Sequence, residues 1–194
     1  MKTPLLLVAS VAAALVTVAS ISYVLTHSSP SDAPPNLAAL TTPATPQAQT
    51  FVALTALTLP DTAGVNQPLS QWRGRILVVN FWATWCPPCR EEMPAFSRLA
   101  GKYAANGVQF VGISIDTLNN VLDFQKHAPV SYPLLIGTME TVQNTIPLGN
   151  NAQALPFTAI FDRSGVLHSV KLGRLPEAEL AHTLQALEAN VEGK

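Results

Sequence analysis

The tightest constraint in this chain is the join of two different patterns around residue 85. Ile76-Leu77-Val78-Val79-Asn80-Phe81-Trp82 is a nearly unbroken apolar run rich in β-branched and aromatic side chains. That is the pattern of a strand buried on both faces. From Arg90 to Tyr103 the spacing changes, and Met93, Phe96, Leu99, Ala100 and Tyr103 recur on one helical stripe. Between the two lies Trp85-Cys86-Pro87-Pro88-Cys89, which holds the only 2 cysteines of the 194 residues. A central strand that turns directly into an amphipathic helix predicts an α/β sheet. Sites in such sheets lie at the carboxyl ends of the strands, where these cysteines fall.

Cysteines three positions apart at a helix start lie one turn apart on one face, with Cα atoms roughly 5–6 Å apart, which suits a disulfide. The ring so closed is too small to restrain much of the unfolded chain, so a structural staple is a poor explanation. A redox-active pair is the favoured reading. Half of a metal site lacks a second CxxC or a nearby His to complete it, and two inert buried thiols are the remaining alternative. The helix N-terminus stabilises a thiolate on Cys86. Cys86, first and expected to be exposed, reads as the nucleophile. Cys89, expected to be buried in the first turn, reads as the resolving thiol. Pro87 and Pro88 tolerate the first turn but remove two amide donors from it. The expected Cys86 pKa is therefore lowered only moderately.

The stretch Val78-Val79-Asn80-Phe81-Trp82-Ala83-Thr84-Trp85-Cys86-Pro87-Pro88-Cys89-Arg90-Glu91-Glu92-Met93-Pro94 closely resembles the membrane-tethered thioredoxin-like proteins of the TlpA/ResA type. Ala154 to Gly165, with Leu155-Pro156-Phe157 near its start, resembles that family's cis-proline segment. The resemblance spans roughly residues 51–190. It implies an α/β thioredoxin fold: a central mixed β-sheet flanked by helices, with an N-terminal strand or hairpin and a TlpA-type central insertion. It implies thiol–disulfide oxidoreductase activity in which Pro156 packs against the disulfide and shapes a substrate groove. Glu92 matches a partly buried acid that handles the proton of the resolving thiol, although a solvated first-turn Glu is the plainer alternative. Glu91 reads as solvated, and Pro94 matches a helix-kinking proline. Asn80 stands where thioredoxin has a buried Asp. Leu155 departs from the Thr, Val or Gly common in relatives, which bears on partner choice and potential. Trp85 is expected to shape the approach to the sulfur.

Pro4 to Thr26 carries no charged side chain, and Lys2 is the only early positive charge. The run is long enough to cross a bilayer, with the remainder placed outside the cytoplasm. Val18-Ala19-Ser20 also fits a cleavage site. The expected organisation is an anchor or signal peptide over 1–26, a linker over 27–50 rich in Pro, Ala, Ser and Thr, and a thioredoxin-like domain over 51–194. The domain is expected to face the periplasm from the inner membrane, or to be soluble there after cleavage. A net charge of −1 with no basic cluster argues against nucleic-acid binding.

Further along, Val52 to Leu59 reads as a strand or hairpin and Val108 to Ile115 as a strand. Asn119–Lys126, Tyr132–Ile136 and Met139–Thr145 read as helix, strand and helix of the insertion. Thr158–Phe161 and Val166–Val170 read as a hairpin, and Pro176 opens a closing helix. His127, His168 and His182 read as surface or structural positions. The resemblance implies reduction of disulfides in partners such as apocytochrome c or metal-centre assembly proteins, electrons from a DsbD- or CcdA-type membrane donor, and no cofactor or metal. The rival functions are a copper chaperone with His168 as third ligand, a peroxiredoxin-like peroxidase, and a pure binding module.

Overall fold

The computed structural model describes residues 46–192. The expected anchor over 1–26 and most of the expected linker lie outside the described residues. The order is α1 (Pro46–Thr55), β1 (Thr58–Pro60), β2 (Asn66–Pro68), β3 (Ile76–Trp82), α2 (Pro87–Tyr103), β4 (Val108–Ser114), α3 (Leu118–His127), β5 (Leu134–Ile136), α4 (Met139–Gln143), β6 (Phe157–Phe161), β7 (Leu167–Leu172) and α5 (Glu177–Glu192). β1 and β2 form a small antiparallel hairpin. The main sheet runs β5-β4-β3-β6-β7, with β3, β4 and β5 parallel and β6 and β7 antiparallel. This is the expected mixed α/β thioredoxin architecture, with α3, β5 and α4 lying between β4 and β6 where the helix, strand and helix of the insertion are expected.

β3 is buried along its whole length, because helices cover both faces of the sheet. Successive side chains alternate between faces. Ile76, Val78 and Trp82 join one core with Met93, Phe96 and Leu99 of α2 and Leu180, Leu184 and Leu187 of α5. Leu77, Val79 and Phe81 join the other with Leu54 of α1 and Leu69 and Trp72 of a short 3-10 turn. Asn80 has the parity of Val78 and Trp82, so this polar residue is aimed at α2.

One expectation requires correction. The segment expected to be a strand over Val52–Leu59 is mostly helical: α1 straddles the expected linker–domain boundary, and the strand begins only at Thr58. Short apolar runs do not distinguish strand from helix by period alone. Here half-buried Phe51 and fully buried Leu54 and Thr55 share a helical face. Phe51 stacks against Phe161 of β6 at 5.1 Å between ring centroids, which ties α1 to the sheet. α2 begins at Pro87, so the stripe that starts at Arg90 continues a first turn that holds both prolines and Cys89, as expected. Both prolines fit there because the first amides of a helix have no helical partner.

Candidate active site

β3 ends at Trp82, and Ala83 to Cys86 form the turn into α2. Cys86 is the residue capping α2. It has an extended backbone, with φ −94° and ψ 104°, and its carbonyl accepts from the amide of Arg90 at 3.2 Å. Cys86 and Cys89 are joined in a disulfide with Cα atoms 5.3 Å apart, within the range expected from their spacing. Cys89 is wholly buried, as anticipated. Cys86, expected to be exposed, is only 4% exposed, because the first turn of α2 folds it against the same core as Met93 and Trp82. The exposed group beside it is Trp85, at 64%. Pro87 is exposed and Pro88 half-buried.

Glu92 lies three residues beyond Cys89 and therefore on the same face of α2. It is 1% exposed. Its Oε1 accepts from Nδ2 of Asn80 at 2.8 Å, and its Oε2 accepts from the amide of Leu175 at 2.8 Å. Burial pushes this carboxyl up to about 7, against the opposing pull of the Leu175 amide, the Asn80 side chain and the Arg174 charge. Nδ2 of Asn80 also donates to Oγ1 of Thr158 on β6 at 3.0 Å, while Oδ1 of Asn80 has no hydrogen-bond partner among the described residues. Glu91 is exposed and faces Arg174 at 3.7 Å.

The Leu155–Pro156 bond is cis, and Pro156 is buried. Leu155 is half-buried and packs against both cores, one of which contains Cys86 and Cys89. The segment after β7 ties the parts together. The Gly173 amide donates to the Pro156 carbonyl at 2.9 Å, and two residues on the Leu175 amide holds Glu92. His168 is exposed on β7, with β6 intervening between it and β3. Among the described residues there is no cluster of three His, Cys, Asp or Glu arranged to hold a metal ion.

Three contributors were not legible as such in the sequence. Asn150 is fully buried and braces the loop before Pro156 through Thr145 Oγ1 at 3.0 Å and both main-chain groups of Ala154. Leu175 acts through its amide alone, which no side-chain pattern signals. Asp116, seen only as the polar end of a strand, accepts from the Thr84 hydroxyl.

A family model described as the AhpC/TSA family matches residues 52–170. The chain belongs to this family. It is 28% identical over 131 residues to the thiol-disulfide oxidoreductase ResA of Geobacillus thermodenitrificans, covering 67% of this chain and 73% of that protein. It is 29% identical over 126 residues to the thioredoxin-like protein YneN of Bacillus subtilis, covering 63% of this chain and 71% of that protein. The crystal structure of a thiol:disulfide interchange protein, a thioredoxin family protein from Chlorobium tepidum, superposes with a TM-score of 0.63 at 27% identity, covering 68% of this chain and 92% of that one. Like the ResA proteins it resembles, this member of the AhpC/TSA family is a thiol–disulfide oxidoreductase.

Proposed function

We propose that the protein reduces disulfides in partner proteins outside the cytoplasm, using the Cys86–Cys89 pair. The observation that carries this reading is the Cys86–Cys89 disulfide at the start of α2, with the buried Glu92 carboxyl, raised to about 7, on the same helix face as Cys89. A buried thiol that must become a nucleophile needs a proton acceptor, and a carboxyl titrating near neutrality can take that proton and later return it.

In the reduced enzyme the Cys86 thiolate attacks one sulfur of the partner's disulfide. A mixed disulfide forms, and the partner's other sulfur leaves as a thiolate that takes up a proton. Cys89 then loses its proton to Glu92 and attacks the Cys86 sulfur. The partner's second thiolate is released and the Cys86–Cys89 disulfide closes. Two electrons have passed to the partner; its first thiolate takes a proton from solvent and its second takes the one held by Glu92. Trp85, Leu155 and Pro156 form the groove that receives the partner's chain.

The reducing direction is supported by the start of α2. Pro87 and Pro88 occupy its first two positions, so the amide of Cys89 is the first one available to a Cys86 thiolate. Weak thiolate stabilisation leaves the reduced form less favoured than in a strong oxidant, and so gives a less oxidising pair. Re-oxidised enzyme requires a two-electron donor, in this reading a DsbD- or CcdA-type membrane protein. The apolar Pro4–Thr26 segment would hold the domain at the inner membrane, facing the periplasm, with apocytochrome c or metal-centre assembly proteins as substrates.

The test is a single-turnover reaction of pre-reduced protein with an oxidised thiol-bearing protein. Cys89→Ser should trap a covalent mixed disulfide, and Cys86→Ser should neither trap nor reduce. Trapping through Cys89 in the Cys86→Ser variant, with no trapping in the other, would reverse the assigned roles. A reduction potential near −120 mV rather than about −270 mV or lower would overturn the direction.

A further inference from the structure

The strands β3 and β4 run parallel, with Trp82 beside Ser114 in register. The Ile115 amide donates to the Trp82 carbonyl at 3.1 Å. The turn carrying Cys86 and the turn entering α3 therefore leave the sheet side by side. Asp116 sits in the second turn, 9% exposed. Its Oδ2 accepts from the Thr84 hydroxyl, two residues before Cys86. Its Oδ1 accepts from the Thr117 amide at 2.7 Å and from Nδ2 of Asn120 at 2.7 Å. All of these donors are neutral, and Asp116 forms no salt bridge among the described residues.

We propose that Asp116 is a positioning residue for Cys86: it grips the turn through Thr84, and its uncompensated negative charge raises the Cys86 thiol's pKa and keeps the pair reducing. This inference rests on the dithiol reading above. Burial works against ionisation of Asp116, but the bonds from Thr84, Asn120 and Thr117 hold its carboxyl below the usual range, so it is charged at neutral pH. The other charged groups around the start of α2 are Glu92, Glu91 and Arg90 on α2 itself, and Arg174 from the segment after β7, opposite Glu91. Arg90, Glu91 and Arg174 are exposed and screened by solvent. Asp116 is the buried charge brought to the turn by a different element.

The consequence for redox follows from charge. Reduction of the disulfide adds two electrons, and above its pKa Cys86 carries one of the resulting charges as a thiolate. A nearby carboxylate disfavours that thiolate. Less stabilisation of the reduced form makes the disulfide harder to reduce and the dithiol a better reductant.

The experiment uses the full chain in detergent and three variants, Asp116→Asn, Thr84→Val and Thr84→Ser. The Cys86 pKa is read from thiolate ultraviolet absorbance, and the dithiol–disulfide equilibrium is read against glutathione. Asp116→Asn keeps the shape and removes the charge. It should lower the Cys86 pKa and shift the equilibrium toward dithiol by roughly threefold to tenfold, tenfold being about 30 mV. Thr84→Val keeps the charge and breaks the grip. It should leave the equilibrium within about twofold but slow the attack of Cys86 on a small disulfide, measured on the fraction with native circular dichroism. Thr84→Ser, which retains the hydroxyl, should restore that rate. Unchanged pKa and equilibrium in Asp116→Asn would overturn the electrostatic role. An unchanged rate in Thr84→Val would overturn the grip, and this arm stands even if Asp116→Asn does not fold. A wild-type chain with no reversible dithiol couple would instead remove the reading on which the inference rests.

Discussion

Replacing Glu92 with Gln should change the sign of its effect on stability as pH rises. The carboxyl has an ordinary value of 4.5 and is raised to about 7 in the fold. The folded state therefore binds this proton more tightly than the unfolded chain. Between those two values the native state holds more protons, so stability falls as pH rises through the window. Below about pH 4.5 the group contributes no penalty, and above about pH 7 the penalty is complete. A gap of about 2.5 pH units, at about 1.4 kcal/mol for each, makes it roughly 3 kcal/mol. Glu92 is 1% exposed, so solvent screening reduces this little.

The variant's amide removes the titration and keeps an acceptor for the Leu175 amide. Its NH2 group must face Asn80, whose partnerless Oδ1 can accept from it once the Asn80 amide rotates. Rotation gives up the bond to Thr158, which costs about 1 kcal/mol. Glu92→Gln should thus be about 1 kcal/mol less stable than wild type near pH 4 and about 2 kcal/mol more stable near pH 8. Urea unfolding of both oxidised proteins across that range measures the difference directly. A difference that stays constant, or a variant that weakens further as pH rises, would refute the argument that burial dominates this carboxyl.

Three other substitutions separate function from framework. Trp85→Ala should lower the rate of protein-disulfide reduction several-fold while changing stability by less than about 1 kcal/mol, because the side chain is 64% exposed. Comparing a protein substrate with a small disulfide isolates its role in the groove. Asn150→Ala strands the Thr145 and Ala154 groups it braces and should cost about 2–3 kcal/mol in thermal or urea unfolding. Gly165→Ala should cost about 1–3 kcal/mol. Its φ is +82°, and an added Cβ would meet the Phe51 ring at 2.4 Å; a neutral effect in calorimetry would show that α1 yields freely.

What could be read without coordinates depended on signals confined to neighbouring residues. The all-apolar run of β3, the stripe of α2 and the hairpin turn Asp162-Arg163-Ser164-Gly165 are each set by local periodicity or by a backbone that suits glycine. Cys86 and Cys89 come together within one helical turn, so their pairing needed no tertiary information. α1 reads as a strand from sequence because its helical face is defined by Phe161 across the sheet, not by its own short pattern.

The chain's own order thus determined the strand–turn–helix that holds the disulfide, and with it the class of chemistry. The tertiary structure decided the electrostatics. Whether Glu92 is a solvated first-turn acid or a buried carboxyl raised to about 7 depends on Asn80, Thr158 and the Leu175 amide, contributed from as many as 83 positions away. The burial of Cys86 and the grip of Asp116 on Thr84 arise in the same way. Desolvation and hydrogen bonding are properties of what surrounds a side chain, and those surroundings exist only once β3, β4, β6 and the segment after β7 are packed around α2.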